Sequence, residues 1–168
     1  TDDGTLERLH QEDSCQALGV DIDGQQGRGK YERFGGPTFA RIAELCDRYG
    51  DPTTAFPDLL AHAVFTWVIG NGDAHGKNVS LLIDVRTGHV DLAPLYDTVP
   101  AAAMSVNGKH EHVTRGDFVA EAHGWGLAQA GAERLIDDLA TRLAAAAADC
   151  CDDRVASLVA ERLHTLEH

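Results

Sequence analysis

Apolar residues recur between positions 56 and 68 with the spacing of a helix buried along one broad face. Phe56, Leu59, Leu60, Ala63, Val64, Trp67 and Val68 fall at i, i+3, i+4, i+7, i+8, i+11 and i+12, the period that stacks side chains on one side of an α-helix. Pro57 is read as part of the first turn, where a missing N–H is tolerated. This helix runs straight into Gly70, so the loop that follows is delivered from a rigid support. Upstream, Phe39 to Tyr49 carries a shorter helical pattern, closed by Gly50 and Pro52. Leu6 to Leu18 reads as a short loop entering a helix that Gly19 stops. Asp21 to Pro37, crowded with glycine and polar residues, reads as a loop ordered by its neighbours.

Beyond the central helix the period changes. Val79 to Asp84 and His89 to Leu92 flank Arg86-Thr87-Gly88 and read as a β-hairpin. From Asp117 onward the pattern is helical again, over Asp117 to Ala122, Ala130 to Ala148 and Asp152 to Leu163. The alanine run from Ala144 to Ala148 is high-propensity helix filler. The predicted fold is mostly α with one small β-hairpin, in a single domain of 168 residues.

Composition narrows the function. With 43% hydrophobic and 24% charged residues the chain is an ordinary globular one. A net charge of −13 repels phosphate backbones and argues against direct nucleic-acid binding by this domain alone. A magnesium–nucleotide complex stays acceptable, because the metal inverts the local electrostatics around carboxylates. Cys15, Cys46, Cys150 and Cys151 include no C-x-x-C pair, so neither a zinc ribbon nor a disulfide framework is indicated. No signal peptide and no apolar run near 18 residues is present, so a cytoplasmic, non-membrane setting is expected. The chain opens at Thr1 rather than Met, and Leu166-Glu167-His168 reads like the start of a purification tag, set apart from the domain spanning residues 1–165.

The chemistry concentrates in Gly70-Asn71-Gly72-Asp73-Ala74-His75-Gly76-Lys77-Asn78 and, past the hairpin, in Leu95-Tyr96-Asp97. An Asp, an Asn five positions later and a second Asp beyond a hairpin form the polar skeleton of a protein-kinase catalytic site. In that reading Asp73 is the base for a substrate hydroxyl, and Asn78 and Asp97 are magnesium ligands on the nucleotide side. Lys77 is placed to touch a transferring phosphate as a point charge, and His75 to hydrogen-bond within the loop. Taken singly, Asp73 and Asn78 are also ordinary turn residues. The combination with the buried helix before them and Asp97 after the hairpin favours the chemical reading.

The chain further resembles the C-terminal region of HipA-type serine/threonine kinases, the toxin halves of bacterial toxin–antitoxin pairs. Five ordered blocks carry the likeness: Arg8-Leu9-His10-Gln11-Glu12-Asp13 with Cys15-Gln16-Ala17-Leu18-Gly19; Lys30-Tyr31-Glu32 with Gly35-Gly36-Pro37; Asn71 to Asn78 with Ser80-Leu81-Leu82; Leu92-Ala93-Pro94-Leu95-Tyr96-Asp97; and Met104-Ser105-Val106-Asn107-Gly108-Lys109. The resemblance implies a kinase-like C-terminal lobe of α-rich α+β fold, dependent on ATP and Mg²⁺. It implies transfer to a protein serine, in the best-known case on glutamyl-tRNA synthetase, which stalls translation and promotes dormancy. A helix-turn-helix antitoxin is the implied partner. Carried over by position, Asp73 is the base, Asn78 and Asp97 hold magnesium, and His75, Lys77 and Asn78 serve the ATP site.

Departures from a complete kinase are equally visible. There is no glycine-rich loop after a strand and no strand lysine of Val-Ala-Ile-Lys type, and the family's N-terminal lobe is expected to precede Thr1. Gly27-Arg28-Gly29-Lys30 is too short for a Walker A signature and reads as a structural loop. Arg8, His10, Glu12 and Asp13 read as a salt-bridged brace or a helix cap. Asn107, Lys109, His110 and His112 read either as substrate contacts or as an exposed polar hairpin. Two rival functions stand beside the kinase. Asp73-Ala74-His75-Gly76 also spells the Asp-x-His-Gly opening of metallophosphoesterases, which need a Gly-Asn-His-Asp and separate histidine ligands that the sequence lacks. A non-catalytic lobe that only binds an antitoxin or another partner is the other.

Overall fold

The central apolar pattern becomes α4 (Pro52–Val68), with Ala55, Phe56, Leu59, Leu60, Ala63, Val64, Trp67 and Val68 all buried in the core. A computed structural model describes residues 9–70, 73–97 and 104–167. Within it, α4 packs against α3 (Phe39–Tyr49), α5 (Arg115–Trp125), α6 (Gln129–Ala148), α7 (Asp153–Leu166) and the last strand. Five helices thus share one core, in which Ile42, Leu59, Leu60, Val64, Val68, Phe118 and Ile136 are almost wholly sealed from solvent. The helix begins earlier than the sequence suggests. Asp51 caps it by accepting from the Thr53 N–H at 2.9 Å, and Pro52, not Pro57, occupies the first turn. Pro57 therefore lies inside the helix, leaving the Thr53 carbonyl without its i+4 donor. The burial of so much apolar surface on both sides of the proline outweighs that lost bond.

The predicted hairpin forms from β2 (Ser80–Ile83) and β3 (Val90–Leu92), antiparallel with Leu81 opposite Leu92 and Ile83 opposite Val90. A third strand, β1 (His10–Asp13), pairs on the other side of β2, Glu12 opposite Leu81 and Asp13 opposite Ser80. The sequence reading had a loop and a helix here. The strand exists because β2 offers it an edge, a non-local cause that residues 10–13 do not announce. Only the single turn α1 (Ser14–Ala17) remains of the expected helix, with Asp13 and Gln16 forming a reciprocal capping box. The glycine-rich segment adds one short turn, α2 (Gly24–Gly27), and a 3₁₀ turn over Glu32–Phe34.

The architecture is α-rich α+β, as the sequence predicts. Leu166, assigned above to the excluded tail, closes α7 and is buried in the core. Among the described residues no helix is long and apolar enough to cross a membrane.

Candidate functional site

Helix α4 ends at Val68, and within ten residues the chain makes a single 3₁₀ turn over Gly76–Asn78 before entering β2. Asn71 and Gly72 of the motif lie outside the described residues. The rest of the loop is clamped from both sides. The Ser14 hydroxyl donates to the Gly76 carbonyl at 2.5 Å, and the Gly76 N–H donates to the Lys30 carbonyl at 3.1 Å. A Cβ on residue 76 would lie 2.4 Å from Pro37 Cγ and 2.8 Å from Cys15 Sγ, so only glycine fits between the two clamps. Inside the turn, Asn78 Oδ1 accepts from the His75 N–H at 3.2 Å and the Asn78 N–H donates to the His75 carbonyl at 2.8 Å.

Across the hairpin, Asn78 Nδ2 donates to Asp97 Oδ2 at 3.0 Å. The hydrogen bonds of the Asn78 amide, from the His75 N–H and to Asp97 Oδ2 and, at 3.4 Å, the Asp97 carbonyl, fix which end is which, because a flipped amide would set N–H against N–H and oxygen against carboxylate. Asp97 itself sits at φ 53°, a left-handed conformation that aspartate tolerates better than most residues. Tyr96 secures the approach: its hydroxyl donates to the Lys77 carbonyl at 2.5 Å and lies 2.6 Å from Ser80 Oγ. The sequence-predicted pair is therefore brought together. Asp97 turns its carboxylate to the Asn78 NH₂ while the Asn78 amide oxygen faces the His75 N–H, and oxygen atoms of both kinds are the hard donors that suit magnesium and its phosphate ligands.

Asp73 faces the same loop. Its Oδ1 accepts from the Tyr31 hydroxyl at 2.9 Å, and its Oδ2 lies 3.9 Å from His75 Nε2. His75 is buried, and its pKa is held below the ordinary histidine value, first by burial and next by the Lys30 charge. Asp73 and Asp97 pull in the opposite direction without prevailing. The ring is thus neutral at neutral pH. Its Nδ1 is buried without a hydrogen-bond partner among the described residues, while the His75 N–H and carbonyl both bond Asn78. Lys77 is exposed beside the Asn78–Asp97 pair. Among the described residues no cluster of three or more His, Cys, Asp or Glu side chains is arranged to hold a metal, so the two-metal phosphoesterase rival finds no ligand set.

Several residues around the site carried no assigned role in the sequence. Tyr31, read there as loop, contacts both Asp73 and His75, and the Lys30 ammonium lies over the Tyr31 ring. Glu32 accepts from Ser105 twice, from the N–H at 2.7 Å and the hydroxyl at 2.5 Å. Asn107 and Lys109, candidates for substrate contact, instead spend their side chains on the buried Asp117, at 3.0 and 2.9 Å. Burial pushes the Asp117 carboxyl up, but Lys109, the Thr114 backbone, Asn107 and the Thr114 hydroxyl together hold it well below the usual carboxylate range. His110 and His112 are exposed. Of the proposed brace, Arg8 lies outside the described residues, His10 and Glu12 form an exposed pair at 3.1 Å, and Asp13 is a helix cap. The Cys15 thiol under the loop is pushed up to about 11 by burial and by Asp13, so it stays protonated.

Residues 2–147 match the family model of the HipA-like C-terminal domain. The chain belongs to that family. Among relatives of the HipA-like chain is Y4mE of Sinorhizobium fredii, a candidate kinase by name, 46% identical over 102 residues that make up 60% of this chain and 23% of the relative. Another is the serine/threonine-protein kinase toxin HipA of Shewanella oneidensis, 37% identical over 103 residues, 55% of this chain and 22% of that protein. The chain therefore matches less than a quarter of the length of these curated relatives. HipA in the Shewanella oneidensis complex of HipA, HipB and operator DNA has the same fold, with a TM-score of 0.71 at 27% identity. The likeness covers 96% of this chain and 43% of that one.

Proposed function

We propose that this HipA-like domain is the catalytic lobe of an ATP- and Mg²⁺-dependent serine/threonine protein kinase of toxin type. The observation that carries the reading is the 3.0 Å contact between Asn78 and Asp97, two residues 19 positions apart that meet on one side of a loop presenting Asp73. Names of the relatives point the same way, since one is a serine/threonine-protein kinase toxin. In this proposal Asn78 and Asp97 hold magnesium, which supplies charge neutralisation on the ATP phosphates. Asp73 orients the substrate serine and accepts its hydroxyl proton as the oxygen bonds to the γ-phosphorus and the bond to the ADP oxygen breaks. The exposed Lys77 offers a positive charge to the phosphates, and the neutral His75 keeps a like charge away from it. The Asn78 side chain is held in place by its hydrogen bonds to His75 and Asp97, and its amide oxygen would serve the metal through the lone pair that the His75 N–H leaves.

The protein substrate, for which an aminoacyl-tRNA synthetase such as glutamyl-tRNA synthetase is the candidate, and action in the cytoplasm belong to the same proposal. So does a HipB-like antitoxin partner, supported by the solved complex of a structural relative. A net charge of −13 leaves DNA contact to such a partner. Titration calorimetry of Mg·ATP into this chain and into its Asp97→Asn variant tests the proposal. Specific binding lost in the variant is expected. Binding by the variant equal to that of the parent chain would remove Asp97 from the metal site and with it the reading.

A further inference from the structure

Tyr31 reaches 42 positions along the chain to donate its hydroxyl to Asp73 Oδ1 at 2.9 Å. Its ring meets the His75 imidazole edge-on, with centroids 5.2 Å apart and planes at 77°. The Lys30 ammonium lies 5.1 Å from the Tyr31 ring centroid and the Arg33 guanidinium carbon 5.8 Å. The backbone is held as firmly as the ring. The Tyr31 carbonyl accepts from the N–H groups of Phe34 at 2.9 Å and Gly36 at 3.0 Å. A Cβ on residue 36 would lie 2.7 Å from the carbonyl carbons of both Lys30 and Tyr31, so the chain can fold back on itself here only with glycine. Residues on either side of Tyr31 are tied to other segments, Lys30 to Gly76 and Glu32 to Ser105. The hydroxyl therefore arrives at Asp73 from a fixed place.

We propose that Tyr31 is a positioning residue for Asp73, its hydroxyl holding one carboxylate oxygen so that the carboxylate meets a substrate hydroxyl in a single orientation. The inference rests on the kinase reading above. The terminal torsion of an aspartate is broad and roughly two-fold, so the side chain of a loop aspartate is poorly oriented by its own rotamer preference. A phenol–carboxylate hydrogen bond is charge-assisted and directional, which narrows that torsion. Tyr31 keeps its own proton throughout; the substrate's proton goes to Asp73, and Tyr31 acts only through it.

Tyr31→Phe deletes the hydroxyl and leaves the ring against His75 and Lys30. In the full-length protein it is expected to lower kcat about 10–100-fold while leaving KM for ATP and for the protein substrate, and the melting temperature, unchanged. Added to Asp73→Asn, the same change is expected to cost nothing further, because the hydroxyl then has no carboxylate to hold. A fully additive loss, or a raised KM at unchanged kcat, overturns the assignment. In this chain alone, labelled with ¹³C-carboxyl aspartate, Tyr31→Phe is expected to shift the resonance that Asp73→Asn removes; an unmoved resonance overturns the assignment independently of activity. The two readings fail differently. Full transfer by Asp73→Asn sinks the kinase proposal, whereas full transfer by Tyr31→Phe beside an impaired Asp73→Asn sinks only the positioning role.

Discussion

Asn78 donates to Asp97 and accepts from His75, so its side chain has one orientation before any ligand arrives. Asp73 is set differently, held at one oxygen by a phenol from a distant loop and exposed enough to meet a substrate, its side chain one-third accessible. These settings imply distinct losses. Asp73→Asn is expected to reduce phosphotransfer in the full-length protein by about 10²–10⁴-fold, the usual contribution of a positioned base, with Mg·ATP affinity retained. Kinetics combined with nucleotide titration check this, and a variant that kept full transfer would remove Asp73 from the chemistry. Asp73, Asn78 and Asp97 stand out as candidates in the sequence because the residue types and spacing are those of a known chemistry. Tyr31 does not, since an isolated tyrosine in a glycine-rich loop gives no sign of what its hydroxyl will touch.

Among the elements, α4 matters most for the candidate site, because its C-terminal end launches the loop that carries Asp73 and Asn78. Trp67, one residue before the end of α4, is buried edge-on against Phe118, with centroids 5.8 Å apart. The Arg162 guanidinium carbon lies 5.1 Å from the indole centroid, and its Nη1 donates to the Trp67 carbonyl. Trp67→Ala is expected to destabilise the fold by about 3–5 kcal/mol through lost transfer energy and the cavity left behind. Chemical denaturation measures this, and unchanged stability would contradict the packing of α4 on α5 and α7. The period of this helix was readable from sequence, but its start was not. Proline at position 57 signals a first turn, and only the burial of Ala55 and Phe56 ahead of it shows why the helix already runs through it. Strand β1 was hidden for a related reason, its pairing being a property of β2.

At the scale of the whole molecule, a buried histidine away from the site makes stability depend on pH. His62, on α4, is buried in a cleft it shares with Asp58, Phe65, Leu92, Leu139 and Arg142, and burial lowers its pKa to about 4. A histidine depressed from 6.5 to about 4 favours the neutral form in the fold, so the unfolded chain binds the proton first as pH falls. Its contribution is thus fully present above pH ~6.5 and is lost on acidification toward pH ~4, a change of about 3 kcal/mol at most. Urea denaturation across that range is expected to show the fall in wild type and a flatter profile in His62→Leu; identical slopes would assign the acid sensitivity elsewhere. By itself the sequence determined the helical periods, the hairpin, the α-rich class and which residues make up the candidate motif, because periodicity, turn chemistry and short spacings are local properties of the chain. Tertiary structure alone decided the third strand, the meeting of Asn78 with Asp97, the reach of Tyr31 to Asp73 and the gathering of Asn107 and Lys109 on Asp117. Each of these joins residues from separate elements, and what brings them together is the packing of helices and sheet around a common core rather than anything written at either position.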